Sequence, residues 1–467
     1  MVKAIAAFGC GYEPSSMDKL SDCFLSKEKR RIEKSITLVR ESWPHTGYTV
    51  LLRTQGCFHV NIFVSSPRGL IFLRAVDIDD SDEEVDMFTS VLTDAIVEAR
   101  AINVLQIISH IDHACKSTKS LISSKFPYIL WSPCTSHYVR ILMEEVAELK
   151  CIKPVVLCAK GIEQCILMNH HAFPCESPDP FSAKFAPSYC FALQDVVVSK
   201  EWKQWKHSIL KDILIIEASI LGDEFWSNAH MMLQLFKPFA KLLAMLDIDK
   251  SVMGAVYDWR VQAVEVVRSK EIDETALNQL EVLIENKWNV LFSLLQAAGY
   301  ILNPRYFERG QAKDKSIMQA RWVLRKQLSS YWRLEGSFGE EDALDCRDKM
   351  DPVAWWENFG FETPHLQTLA IKVLSQVSTI SMCQDIWQGD YFLCQKALNK
   401  LGTQRVKDLV FVRNNLRIHS QKSGSSSSSV NCARNVNMIS FPYGVKSWDY
   451  AHLEQTKVIV NIHDELL

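Results

Sequence analysis

The sequence predicts an α/β protein in which a mixed sheet is interrupted by a large all-α insertion. Short β-prone runs occupy residues 48–52, 58–64, 70–76, 104–108 and 129–131. Helical patterns then dominate from residue 155 to residue 332. Short strands that alternate with helices favour a mixed sheet, and the long helical stretch after them favours an inserted helical unit.

Turn and helix signals place further elements around these strands. Pro67-Arg68-Gly69 predicts a turn that joins two strands as a hairpin. The spacing of apolar residues predicts helices over residues 16–39, 82–101, 136–149, 226–246 and 275–297. The first of these helices mixes both signs of charge with apolar residues, which is typical of a surface helix.

These signals divide the chain into five segments. We predict an N-terminal helical segment, the first part of the sheet, a helical insertion domain, a C-terminal region and a flexible tail, over residues 1–40, 41–155, 156–335, 336–418 and 419–467. The tail prediction depends on the serines at residues 425–429, because serine-rich segments are typical of linkers.

Composition narrows the class of protein. The chain has 467 residues, of which 23% are charged, and no apolar run reaches the roughly 18–20 residues of a membrane span, so we expect no membrane partner. Fourteen cysteines without a C-x-x-C pair predict reduced thiols in the cytosol or nucleus. With a net charge of −3, any DNA binding would depend on local basic patches.

Four stretches of the chain together resemble plant hAT-family transposases. They are the hairpin sequence Asn61-Ile62-Phe63-Val64 with Ser66-Pro67-Arg68-Gly69, the C-x-x-H element Pro133-Cys134-Thr135-Ser136-His137, the helical-insertion motifs Lys237-Pro238-Phe239 and Leu302-Asn303-Pro304, and a C-terminal block with Asp351-Pro352, Trp355-Trp356 and Leu409-Val410-Phe411-Val412-Arg413. For Cys134 and His137 we expect a structural role at a helix start, because a structural zinc site needs four ligands.

The resemblance implies an RNase H-like sheet interrupted by a helical domain. It also implies that residues 336–418 return to complete the core and to form a homodimer. The residues expected to carry this contact are apolar: Trp355, Trp356, Leu366, Leu369 and Leu374. The alternative is that the tryptophans pack within the core of their own chain, although exposed aromatic anchors would suit an interface.

Catalysis in this family implies three carboxylates, Asp, Asp and Glu, that hold two divalent cations during phosphodiester cleavage. At the matching positions this chain has Arg53, His110 and Gln384. A guanidinium repels a cation, and an amide is only a neutral ligand. Asp112 and Asp385 lie close by in the sequence and are the candidates for displaced acids.

We therefore expect a domesticated, transposase-like protein that dimerises in the nucleus, cleaves no DNA, binds no metal or cofactor and retains an association with DNA or chromatin. The alternative is an active transposase that uses Asp112 and Asp385 with a divalent metal. The family often carries an N-terminal BED-type zinc finger, and we expect none in this sequence, because Cys10 and Cys23 lack a C-x-x-C partner. Either the sequence is truncated at its start or the protein has dispensed with this module.

Overall fold

The computed structural model describes residues 23–54, 59–77, 82–109, 113–159, 197–198, 200, 203, 212–248, 252–268, 274–307, 328–383 and 403–424. These residues form two compact units. Unit 1 takes the described residues of the ranges Met1–Pro133, Leu302–Phe307 and Met318–Ser427, and unit 2 takes those of Cys134–Ile301. Unit 1 is therefore built from separate parts of the chain, with unit 2 inserted in its sequence.

A five-stranded sheet forms the centre of unit 1. Its strands are β1 (Tyr48–Thr54), β2 (His59–Ser66), β3 (Gly69–Asp77), β4 (Val104–Ser109) and β5 (Leu130–Pro133), and their order in the sheet is β3-β2-β1-β4-β5. Strands β1, β2 and β3 pair antiparallel, whereas β1, β4 and β5 pair parallel. The predicted strands, the hairpin and the mixed sheet are all confirmed.

Helices account for most of the remaining described residues. In chain order they are α1 (Leu25–Arg40), α2 (Trp43–Thr46), α3 (Asp82–Glu98), α4 (His113–Lys125), α5 (Thr135–Ala147), α6 (Asp212–Leu221), α7 (Asp223–Ile248), α8 (Met253–Arg268), α9 (Glu274–Leu291), α10 (Leu294–Leu302), α11 (Leu328–Trp332), α12 (Glu341–Asp345), α13 (Pro352–Phe359), α14 (Pro364–Leu374) and α15 (Thr403–Gly424). No helix in the described part of the chain is long and apolar enough to cross a membrane.

The two faces of the sheet have different coverings. Successive side chains of a strand point to opposite faces, so Tyr48, Val50 and Leu52 lie on one face of β1 and Thr49 and Arg53 on the other. The first face packs in an apolar core with buried side chains of α1 and α3, among them Ile32, Ile36, Phe88, Leu92 and Ile96. The second face carries polar side chains and meets the C-terminal part of unit 1.

A buried network of hydrogen bonds joins this second face to the segment after α14. Thr49 Oγ1 donates to Gln376 Oε1 at 2.9 Å, and Gln106 Nε2 donates to Thr49 Oγ1 at 3.0 Å and to the Val377 carbonyl at 2.5 Å. Gln376 Nε2 in turn donates to the Thr46 carbonyl at 2.9 Å. The three side chains are fully buried. Parts of the chain more than 300 residues apart are thereby joined.

Asn415 of α15 closes the outer edge of the sheet. Its Nδ2 donates to the Phe72 carbonyl at 3.0 Å, and its Oδ1 accepts from the Phe72 amide at 3.1 Å. The pairing of β2 with β3 shifts between Ile62 and Phe63, next to this position. An edge strand presents unpaired backbone groups, so the Asn415 amide replaces the partner that a further strand would supply.

Unit 2 is helical in its described part. Tyr257 of α8 stacks on Tyr300 of α10, with ring centroids 4.9 Å apart. A Cβ at Gly299 would lie 2.5 Å from the Cβ of Met253, so the close approach of α8 and α10 requires glycine there. Lys287 of α9 forms an ion pair of 2.6 Å with Glu145 of α5.

Two predicted helix boundaries were wrong. The helix predicted over residues 275–297 is two helices, α9 and α10. Ser293 Oγ accepts from the Gln296 amide and Gln296 Oε1 accepts from the Ser293 amide, both at 3.2 Å, which is a capping box that starts α10. The helix predicted over 82–101 ends at Glu98, and Arg100 follows with a φ of 62°.

Helix α5 groups with unit 2, since the division of the chain falls after Pro133.

We predict that Gln376→Ala destabilises unit 1. The substitution leaves the Thr46 carbonyl without this donor and Thr49 without its acceptor, and each buried polar group without a partner costs about 1–3 kcal/mol. Urea unfolding followed by near-ultraviolet circular dichroism should show a lower midpoint. Gln404→Ala is the matched control, because Gln404 is exposed and bonds only to Asp408 in the described part. Equal midpoints for the two variants would contradict the prediction.

Candidate functional site

The carboxyl ends of β1 and β4 meet in the middle of the sheet. Leu52 pairs with Ser109 in the parallel register, and Arg53 follows on β1. Arg53 is half-buried and lies on the second face, as Thr49 does. Strand β1 carries no carboxylate from Tyr48 to Thr54. The position at which the resemblance implies the first catalytic Asp therefore presents a cationic side chain.

Asn61 lies beside Arg53 on β2. The two residues are partners in the antiparallel register, so their side chains share a face. Asn61 is fully buried, and within the described part of the chain neither its amide nitrogen nor its amide oxygen has a hydrogen-bond partner. A buried amide without a partner is costly and marks this end of the sheet as unusual.

The other predicted catalytic positions lie outside the described residues. His110 and Asp112 follow β4, and Gln384 and Asp385 follow Cys383, which is buried at the end of the 3-10 turn Ser381–Cys383. Both the loss of the triad and its rescue by Asp112 and Asp385 therefore stay predictions. Among the described residues, no three His, Cys, Asp or Glu side chains come together as a possible metal site.

The C-x-x-H element lies at the start of α5. Cys134 is buried at the N-cap position, and its Sγ lies 3.2 Å from Ser136 Oγ. The His137 ring meets the Tyr138 ring edge-on, with centroids 6.0 Å apart. These two contacts, a sulfur–hydroxyl contact and an edge-on ring contact, are of the packing and hydrogen-bonding kind at a helix start.

An aromatic cluster forms the core beneath the C-terminal region. Trp355 and Trp356 are both fully buried. Trp355 stacks on Phe338, with ring centroids 5.9 Å apart and 12° between the ring planes. The ring centroids of Tyr331 and Trp356 are 5.0 Å apart. Trp355 Nε1 donates to the Ala343 carbonyl at 2.9 Å, and Trp356 Nε1 donates to the Leu302 carbonyl at 2.6 Å. Burial raises the pKa of the Tyr331 phenol, which keeps it neutral.

The Asp351-Pro352 pair explains how the tryptophans reach this core. The Asp351 carboxylate accepts hydrogen bonds from the amides of Val353 and Ala354, at 3.0 and 3.2 Å, and therefore caps α13. Pro352 occupies the first helical position, where its missing N–H costs nothing. The helix begins at a fixed residue, so Trp355 and Trp356 point into the cluster together.

Two parts of the chain match known family models. Residues 333–416 match the hAT family C-terminal dimerisation region, and residues 15–162 match a domain of unknown function, DUF659. Together they support a hAT-family transposase-like protein. No curated protein matches the chain. We call residues 333–416 the hAT dimerisation region below.

The tryptophans of the hAT dimerisation region pack inside their own chain, which is the alternative that the sequence left open. Leu366 and Leu374 are buried as well, and Leu369 is half-buried. The exposed large apolar side chains in the described part of this region are different ones: Phe361 is 59% exposed, and Leu344, Met382, Leu409 and Leu416 are 37–39% exposed. The predicted contact residues therefore support the region from within, in this structure.

The sequence alone does not predict that Leu409 is exposed. Leu409 and Leu416 are seven residues apart, so they lie on one side of α15, while Asn414 and Asn415 of the same helix are fully buried. Apolar residues follow one another around this helix at Leu409-Val410-Phe411-Val412, and such a pattern does not identify the buried side. The seven-residue spacing of the two leucines was the available signal.

We predict that Trp356→Ala strongly destabilises unit 1, whereas Phe361→Ala does not. Removal of a buried indole leaves a cavity, which costs about 3–5 kcal/mol. Phe361 is exposed, and a substitution there should change the free energy of unfolding by no more than about 0.5 kcal/mol. Urea unfolding of both variants checks the difference. A Trp356→Ala variant as stable as Phe361→Ala would show that the aromatic cluster does not hold the region.

Proposed function

We propose that this chain is a transposase-derived protein that dimerises, associates with DNA in the nucleus and does not cleave it. The single observation that carries the loss of cleavage is Arg53, a cationic side chain at the carboxyl end of β1. Cleavage in this class needs two cations bound by converging carboxylates. A guanidinium at the centre of that site opposes the binding of a first cation.

The strand order supports an RNase H-like core for this proposal. An antiparallel meander of β3, β2 and β1 continues into the parallel strands β4 and β5, and unit 2 is inserted after β5. The segment after α14 then returns to the second face of the sheet through Gln376. The hAT resemblance implies this same arrangement, with the third acid on the returning segment.

The hAT dimerisation region supports self-association as the retained function. It matches over residues 333–416, and in this structure its residues Phe338, Trp355 and Trp356 are buried together in an aromatic cluster. Its exposed leucines, Leu409 and Leu416, lie on one side of α15. Two apolar residues at heptad spacing on a helix suit contact with another helix, such as the same helix of a second copy.

Cleavage is tested with supercoiled plasmid and either magnesium or manganese. We expect no metal-dependent nicking by the full chain. The competing function, an active transposase, predicts nicking that needs the displaced acids, so Asp112→Asn and Asp385→Asn are assayed beside the wild type. Nicking that disappears in either variant would establish the enzyme and end the proposed loss of cleavage.

Dimerisation is tested by sedimentation velocity of the full chain. We expect a dimer for the wild type and a monomer for the double variant Leu409→Glu with Leu416→Glu, because charges in an apolar contact must lose their water. Ile102→Glu is the control, since Ile102 is 80% exposed and lies outside the hAT dimerisation region.

Two outcomes would count against this part of the proposal in different ways. A monomeric wild type would remove dimerisation altogether. A double variant that stays dimeric would place the contact elsewhere than on Leu409 and Leu416, and Phe361→Glu would then test the most exposed large apolar residue in the described part of the region.

A further inference from the structure

We propose that the end of the sheet around Arg53 and Asn61 is an anion site that holds a phosphate group of nucleic acid without a metal ion. This inference rests on the proposed association with DNA and names the position where a phosphate is held. It assigns a binding role to a position for which the sequence predicts a loss of catalysis.

The first argument for an anion site is the charge at this end of the sheet. Strands β1, β2, β4 and β5 contain no Asp, Glu or Lys, and Arg53 is their only arginine. The edge strand β3 carries Arg74 and Asp77, one charge of each sign. A site that holds cations needs negative charge, whereas one guanidinium in partly buried surroundings attracts an anion. The substitution of Arg for Asp therefore inverts the sign of the preferred ligand. Its planar N–H groups match the oxygens of a phosphate.

Asn61 supplies the second, independent observation. It is fully buried, its register partner is Arg53, and its amide has no hydrogen-bond partner within the described part of the chain. Most buried polar groups in proteins have a partner, and one that lacks it calls for an absent water, ion or ligand. An amide N–H beside a guanidinium can donate to the same phosphate group.

Ser132 of β5 adds a third polar group on this face. Ser132 pairs with Ile108, and Ile108 pairs with Leu51, so Ser132 lies on the same face as Arg53. It is buried, and its hydroxyl has no hydrogen-bond partner among the described residues. The second face thus carries one cation on β1, an unsatisfied amide beside it on β2 and an unsatisfied hydroxyl two strands away on β5.

The exposure of Arg53 makes the site reachable. Arg53 is half-buried, whereas Asn61 and Ser132 are covered, so a phosphate would meet the guanidinium first. The site does not require Arg53 to lack other contacts, because five N–H groups let a guanidinium serve a protein partner and a phosphate together.

The test measures binding of a short fluorescent DNA duplex to the full chain by anisotropy, in chelator and at several salt concentrations. We expect Arg53→Gln to weaken binding about tenfold and to lower the slope of log affinity against log salt by about one, which is the contribution of one phosphate contact. Arg53→Lys should keep the slope and lose part of the affinity, because lysine keeps the charge without the planar geometry.

Two further variants separate a site from general charge. Asn61→Leu should weaken binding with an unchanged salt slope, because the amide is neutral. Arg30→Gln removes the same charge from an exposed position on α1 and should leave the affinity within twofold of the wild type. Circular dichroism of each variant confirms that it folds.

The outcomes distinguish this inference from the function on which it rests. A wild type that binds no duplex would overturn the association with DNA together with this site. Binding that survives Arg53→Gln, or that falls equally with Arg30→Gln, would overturn the site alone. Inorganic phosphate is also added as a competitor, at a concentration equal to that of the phosphate groups of the duplex. If it displaces the duplex at that concentration, the site binds free phosphate, and the assignment to nucleic acid is overturned.

Discussion

The fold of unit 1 depends on the buried hydrogen bonds that Gln376 makes across the second face of the sheet. Gln376 meets Thr49 on β1, and Gln106 on β4 meets both Thr49 and the Val377 carbonyl. Amide and hydroxyl groups are costly to bury unless each finds its partner, so this network fixes one register between the sheet and the returning segment. The network thereby positions the segment after α14 against the sheet.

Buried and exposed side chains have different roles in the hAT dimerisation region. Trp355 and Trp356 fill the aromatic cluster and donate to backbone carbonyls, so they build the region rather than present it. This leaves contact with a second copy to side chains such as Leu409 and Leu416. A rigid interior makes such a contact less costly, because fewer side chains and loops must become ordered on association.

The same sheet gives a physical account of how one core could change its ligand. The parallel strands β1 and β4 still end side by side, which is where catalysis would need two carboxylates. Arg53 places a positive charge at that strand end and lies beside Asn61, whose amide has no hydrogen-bond partner among the described residues. Loss of metal chemistry and gain of phosphate binding would then be two effects of one substitution.

The sequence by itself determined the strands, the hairpin turn at Pro67-Arg68-Gly69, the mixed sheet and the lack of carboxylates on β1, because period, turn chemistry and residue type are local properties. The sequence also contains the Ser293–Gln296 capping box, although the spacing of apolar residues alone does not predict the break between α9 and α10. Only the tertiary structure decided that Trp355 and Trp356 face inwards, that Gln376 bonds to Thr49, and that Asn61 has no hydrogen-bond partner within the described part of the chain. An apolar or polar side chain does not specify what will cover it, since that depends on segments hundreds of residues away in the chain.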